Sequence, residues 1–329
     1  MVLMSYCNPY TKLGLLSNPF PRIPVPMEKN SVLIDVGRKF SLLRKLFLQT
    51  MTSGNSIVTS LIGPYGSGKT HYLKALFKAA KENRRSLTIY VDSPGADFFT
   101  IYKRALREIG LTVLNTMKSK IVEYALKIMR TNFELGYSWL LGEKLTYKER
   151  MKLNIRTNLS QEDAVDTLAE IIKTLFDKYG KITVILIDEL ETILDLTVRR
   201  KQKYLNNLRK FIDKTHRGLF MVLACTPAGW DTIVSSNPAL VRRVSRIIYL
   251  ENATFEEMRH IINGYLHKYM IDNSREIIND DVLRQVLEIT DGNVGETLRL
   301  LSIIIDEAAS NGISEINVEF VKKVLSENL

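Results

Sequence analysis

One strand–loop–helix passage constrains the fold of this chain more than any other. Ser56-Ile57-Val58-Thr59-Ser60-Leu61-Ile62 is a β-branched apolar run without helical period, so it reads as a buried strand. It runs into Gly63, Pro64, Tyr65, Gly66, Ser67, Gly68, Lys69 and Thr70, after which Tyr72, Leu73, Leu76, Phe77 and Ala80 recur at helical spacing. The eight loop residues fit the pattern G-x-x-x-x-G-K-[ST] throughout. Its glycines let the backbone curl until the N–H groups face a phosphate, and the following helix adds its positive end. All eight are therefore expected to hold ATP. Lys69 is expected to reach the β- and γ-phosphates, and the Thr70 hydroxyl to ligate Mg2+.

Further strands are expected at 86–92, 182–187, 219–224 and 246–250, alternating with helices. Alternation of this kind implies a parallel sheet covered on both faces. The span 97–180 reads as wholly helical, in pieces at 98–109, 118–141, a basic stretch at 144–156, and 161–179 behind a Ser160 cap. After Asn252 only helices follow, at 254–270, 280–290, 295–310 and 317–327. At the other end, five of the nine prolines fall within 1–30. Pro19, Pro21, Pro24 and Pro26 forbid helix there, so an extended arm anchored by Phe20, Ile23 and Val25 is expected, lying on the domain or on a neighbouring subunit. The expected division is an arm at 1–30, a core at 31–251 with its helical insertion at 97–180, and a helical lid at 252–329.

The strand at 182–187 closes on Asp188-Glu189. In a parallel sheet that end opens into the same crevice as the phosphate loop. Asp188 is expected to hold the Mg2+ water shell and Glu189 to act as general base on the attacking water. Glu191 is expected to lie outside the crevice. The next strand ends at Cys225-Thr226-Pro227, which puts the Thr226 hydroxyl where it can sense or position that water. Just before the last strand stand Arg242, Arg243 and Arg246. Arginines at this edge reach the phosphate of an adjoining subunit better than their own, with Arg246 first and Arg243 second as the finger.

With these residues the chain resembles the AAA+ ATPases over roughly 31–329. The Walker A loop, the Walker B acids, a sensor-1 threonine, a Ser-Arg finger at Ser245-Arg246 and a helical lid occur in the family's order. The resemblance implies a three-layer α/β P-loop NTPase with a parallel five-stranded sheet and a C-terminal helical lid, assembled as a homo-oligomer. Val36-Gly37-Arg38 looks like the segment that borders the adenine pocket. Within the superfamily the chain looks most like the origin-recognition/initiator-type group. It also resembles the ATP-binding proteins of BREX-type phage-defence systems, through Trp139-Leu140-Leu141-Gly142-Glu143, residues 150–155, residues 186–191 and Thr226-Pro227. One departure stands out: Gly295 occupies the place of the sensor-2 arginine in Gly292-Asn293-Val294-Gly295-Glu296, and two readings stay open for Arg299 one helical turn further on, a substitute for it or an ordinary solvated helix residue with this sensor absent.

The formal charge of +10 and pI near 9.4 favour an acidic partner. Between Thr197 and Arg217 stand eight cations and one acid, a net +7 of that total. Tyr204, Leu205, Leu208 and Ile212 form the apolar stripe of a helix at 198–215, so its cations are expected to face outward onto nucleic-acid phosphates. Lys144, Lys148, Arg150, Lys152 and Arg156 add a second basic stretch. The sequence ends soon after the lid, without the winged helix that initiators carry there, so contact is expected to be through phosphates and weakly specific. Two rivals stay open: a protein-remodelling or signalling ATPase using the helices of 97–180 as partner surface, and a nucleotide-dependent scaffold in a defence or transposition assembly. No apolar run is long enough to span a membrane, and Cys7 and Cys225 are too far apart in sequence to suggest a metal or redox pair. A cytoplasmic location is expected.

Overall fold

The β-branched runs form strands because each can pair in a sheet covered by helices, the four-residue last one at its exposed edge. In the computed structural model, which describes residues 8–22, 33–117, 119–271 and 275–328, they are β1 (Ile57–Ile62), β2 (Ser86–Val91), β3 (Ile182–Ile187), β4 (Leu219–Cys225) and β5 (Arg246–Tyr249). They form one five-stranded parallel sheet in the order β2-β3-β4-β1-β5. Every residue of β3 and β4 is buried, as central strands of a covered sheet must be. The register pairs Ile187 with both Val91 and Leu223, and Ile62 with both Cys225 and Tyr249. The carboxyl ends of all five strands therefore lie along one edge.

The helices are α1 (Lys39–Ser53), α2 (Lys69–Lys81), α3 (Phe99–Ile109), α4 (Leu111–Leu114), α5 (Lys120–Met129), α6 (Phe133–Leu140), α7 (Tyr147–Lys152) and α8 (Gln161–Tyr179). Beyond β3 come α9 (Val198–Lys214), α10 (Pro227–Ser236), α11 (Pro238–Val241), α12 (Phe255–Leu266), α13 (Asp280–Thr290), α14 (Val294–Ser310) and α15 (Val318–Asn328). Reciprocal capping boxes fix the starts of α7 (Thr146 with Glu149), α8 (Ser160 with Asp163) and α12 (Thr254 with Glu257). The single helix expected at 118–141 is instead broken in two. Asn132 caps α6, and Gly136 crosses the end of α5 so tightly that a Cβ there would lie 2.8 Å from Met129 N and Cα. Among the described residues no helix is long and apolar enough to cross a membrane.

The chain divides into two compact units. One, Ser41–Gly63 with Leu73–Tyr249, contains the sheet and its flanking helices. The other comprises Met1–Phe40, Pro64–Tyr72 and Leu250–Leu329, so most of the phosphate loop segregates with the C-terminal helices. In this second unit Leu13, Leu15 and Phe20 are buried in the core of α12–α15, and Asn18 Nδ2 donates to Ser302 O and Asp306 Oδ1, both at 2.8 Å. The segment is less extended than expected: Asn8 and Pro9 start a short 3-10 turn, Pro9–Leu13, that Gly14 ends in the left-handed region. Ile23 and Val25, its other expected anchors, lie outside the described residues.

Candidate nucleotide site

The loop's shape follows from two glycines. Gly66 and Gly68 have φ of 79° and 92°, a region costly for any residue with a Cβ. Lys69, the first residue of α2, is 7% exposed, and its Nζ donates to Pro64 O at 2.9 Å within the loop. The Ser67 hydroxyl is buried without a partner. A curled backbone, an enclosed ammonium and an unsatisfied hydroxyl are the donor set a chain of phosphates requires. Tyr72, one turn into α2, accepts from Val36 N at 3.0 Å and donates to Ile34 O at 3.1 Å. Burial pushes its phenol up to about 12, so it remains a donor at any physiological pH.

Along the carboxyl edge of the sheet, β4 lies between β3 and β1. Asp188 follows β3, Thr226 follows β4, and Gly63 follows β1, donating to Cys225 O at 3.2 Å. Asp188 is 2% exposed and accepts from two neutral donors, Tyr90 Oη at 2.8 Å and Glu189 N at 3.0 Å. Burial and the neighbouring Asp188 hold the Tyr90 phenol well above its ordinary pKa, so it donates rather than ionises. A buried carboxylate with neutral donors suits a hard cation. Among the described residues no group of three or more His, Cys, Asp or Glu could hold a metal. Mg2+ takes one or two protein oxygens and completes its shell with water and phosphate, a demand that the buried Asp188 carboxylate can meet.

Glu189 differs from its neighbour in every respect. It is exposed and non-glycine, yet held at φ 48°, a conformation that costs about 1–2 kcal/mol. The turn of Leu190–Asp195 that follows brings Glu191 back to the sheet edge. There Glu191 Oε2 accepts from Thr226 N at 3.3 Å, while Oε1 is buried without a partner. This corrects the expectation that Glu191 lies away from the crevice. The pair is separated by a whole helix and strand in sequence, and the only local hint was Gly229, where a Cβ would come within 2.8 Å of Glu191 Cβ. Thr226 caps α10 by accepting from Gly229 N at 3.2 Å, which leaves its hydroxyl proton available to donate.

The arginines before β5 separate into two kinds. Arg243 is taken up within the chain: Nε and Nη2 donate to Asp213 Oδ1 and Oδ2 at 2.7 and 3.3 Å, and Nη1 to Ala239 O at 2.9 Å. The hydrogen bonds to Asp213, and then its charge, hold the guanidinium pKa above its ordinary value. Arg246 opens the edge strand β5, with its carbonyl accepting from Thr59 Oγ1 at 2.8 Å and its side chain exposed. Arg299, the proposed sensor-2 substitute, pairs instead with Glu296 on its own helix at 2.9 Å.

A family model described as AAA domain matches residues 53–234, which includes the loop, both acids and Thr226. No curated protein matches the chain. Among solved structures it is similar to the Aeropyrum pernix ORC2 protein in its ADPNP–ADP complexes, at 16% identity and a TM-score of 0.56, over 94% of this chain and 71% of that one. It is also similar to Cdc6p from Pyrobaculum aerophilum, at 16% identity and a TM-score of 0.54, over 92% and 70%. The Aeropyrum pernix ORC1 protein in complex with DNA gives 14% and 0.54, over 90% and 66%. At these identities the likeness is one of fold. The family match covers more than half of the sequence, and on that ground the chain belongs to the AAA domain family.

Proposed function

We propose that this protein is an oligomeric AAA+ ATPase that binds and hydrolyses ATP to load, remodel or regulate a nucleic-acid complex. The observation that carries the catalytic part is the sheet edge, where Asp188, Thr226 and the start of the phosphate loop leave three adjacent strands. Loop N–H groups and Lys69 bind the phosphates. Thr70 and Asp188 would hold Mg2+, which would neutralise charge developing on the transferred phosphate. Glu189 takes a proton from the attacking water, and Thr226 donates a hydrogen bond that orients it. Arg246 serves the site of an adjoining subunit.

The nucleic-acid part is supported by a cleft of about 660 Å³ within the sheet-containing unit. Lys144 from one basic stretch and Arg200 and Lys203 from the other line it together with Lys103, beside Asp97 and Glu143. Two segments far apart in sequence thus converge on one cationic surface. Some of that charge is already used: Lys203 pairs with Glu162 at 3.7 Å and Lys214 with Asp166 at 2.5 Å, and Arg209 is half-buried with its Nε enclosed. The similarity in fold to a protein solved in complex with DNA points the same way. A narrower form of the reading, membership of a BREX-like defence assembly, rests on the sequence resemblance at residues 139–143. There Trp139 is buried and ties α6 to Thr157 O at 3.0 Å.

The test is Mg-dependent ATP turnover with and without non-specific duplex DNA, alongside native mass in ATP. Stimulation by DNA that fades with salt, and a higher oligomer in ATP, are expected. No retention on DNA even at low salt would remove the nucleic-acid reading, and no turnover under either condition would remove the ATPase.

A further inference from the structure

The phosphate loop has an outer face as well as an inner one. In a trans peptide the C=O and N–H point in opposite directions, so whatever fixes a loop carbonyl also aims the next N–H. Two consecutive carbonyls of this loop are held by the start of α14. Asn293 Nδ2 donates to Tyr65 O at 2.6 Å, and Gly295 N donates to Gly66 O at 3.0 Å. These bonds aim the N–H groups of Gly66 and Ser67 the other way, toward the loop interior, where Ser67 N reaches Pro64 O at 3.3 Å.

The crossing is fitted from both sides. A Cβ on Gly66 would collide with Asn293 Oδ1, and a Cβ on Gly295 would lie 3.0 Å from Gly66 Cα and 3.3 Å from Gly66 O. Backbone thus meets backbone where the family resemblance places an arginine, and no longer side chain fits at 295 without parting the two. Asn293 is engaged at both ends of its amide. While Nδ2 holds the loop, Oδ1 accepts from Glu296 N at 3.1 Å and caps α14. Arg299 points to Glu296.

We infer that Asn293 is a positioning residue for the phosphate loop, through which the C-terminal helices set nucleotide affinity without a sensor arginine. The inference rests on the reading of 63–70 as a nucleotide-binding loop. Holding the loop carbonyls outward pre-orients the donors that phosphate oxygens accept from, which removes part of the ordering cost of binding. Linkage makes the effect reciprocal: a nucleotide that tightens the loop must tighten the docking of α14 by the same factor.

Asn293→Ser separates the two roles of the amide, because serine keeps a capping oxygen but is too short to reach Tyr65 O. Affinity for a fluorescent ADP, measured well below the melting temperature, is expected to fall about three- to tenfold, the worth of one hydrogen bond, while the nucleotide-free variant, which loses the same bond, melts about 1–2 °C lower. In the unaltered protein, added ADP is expected to slow hydrogen exchange at the Gly295 amide. This second readout holds even if the variant folds poorly. Wild-type affinity in Asn293→Ser, or exchange at Gly295 indifferent to ADP, overturns the inference. So does a larger loss in Arg299→Ala than in Asn293→Ser, which would restore the arginine as the reporter. Failure of the underlying reading looks different: the unaltered protein and Lys69→Ala would bind ADP equally poorly, and the inference would fall with it.

Discussion

Two segments beside the same sheet carry the acids and the arginines proposed for the site, and they are built in opposite ways. After β3, the acidic segment is locked in place. Asp188 is buried under a tyrosine hydroxyl and a backbone N–H, and Glu191 is anchored to Thr226 N. Before β5, the basic segment anchors Arg243 on Asp213 and leaves Arg246 exposed on an edge strand. The difference fits residues with different partners. A group acting within its own chain can be pre-organised by that chain, whereas a group meant for another subunit must remain on the surface until the subunit arrives. Glu189 stands between the two cases. It is exposed, but a left-handed backbone conformation fixes its direction.

If the contrast is functional, the exposed arginine should give the largest effect. Arg246→Ala is expected to lower turnover by about 10³-fold or more with nucleotide affinity nearly unchanged, the scale of a lost arginine finger. Mixing it with Glu189→Gln subunits should restore part of the activity, since each variant supplies what the other lacks. Absence of rescue at every mixing ratio would show that Arg246 does not act between subunits, and the contrast would lose its basis. Glu189→Gln alone is expected to slow turnover by about 10²–10⁴-fold, the contribution of a general base, while the protein still binds ATP. Full turnover in that variant would move the base elsewhere, and Glu191, with its unpartnered oxygen, would be the next carboxylate to test.

Much of this was legible in the sequence, for local reasons. The strands announced themselves by β-branched runs, and the start of α8 by Ser160 followed three residues later by an acid. The phosphate loop is a contiguous motif, so its glycines and lysine could be read directly. What sequence missed depends on contacts between distant segments. The break between α5 and α6 is enforced by Gly136 meeting the Met129 backbone, which helical periodicity alone does not reveal. The place of Glu191 is set by Thr226, and that of Gly295 by Gly66. Gly295 did carry a signal, since a glycine where an arginine is expected implies close approach of another backbone. The N-cap asparagine two residues earlier gave no hint that its other end holds the loop.

The smallest effect tests the other half of the contrast. Arg243 makes a two-pronged pair with Asp213 and a third bond to Ala239 O, which ties α11 to the basic helix α9. With 34% and 37% of the two side chains exposed, solvent screens the pair, so it contributes as a surface ion pair and not as a buried one. Arg243→Ala is therefore expected to lower the melting temperature only slightly, by about 1 °C in a chain this long. Because the guanidinium is committed to Asp213, the loss should track stability: Asp213→Ala ought to shift the melting temperature by a similar amount, and the double variant by less than the sum. Turnover that collapses in Arg243→Ala but not in Asp213→Ala, measured well below either melting temperature, would mean that the anchored arginine also reaches a phosphate. The line between a group pre-organised for its own chain and one kept for a neighbour would then run through Arg243 itself.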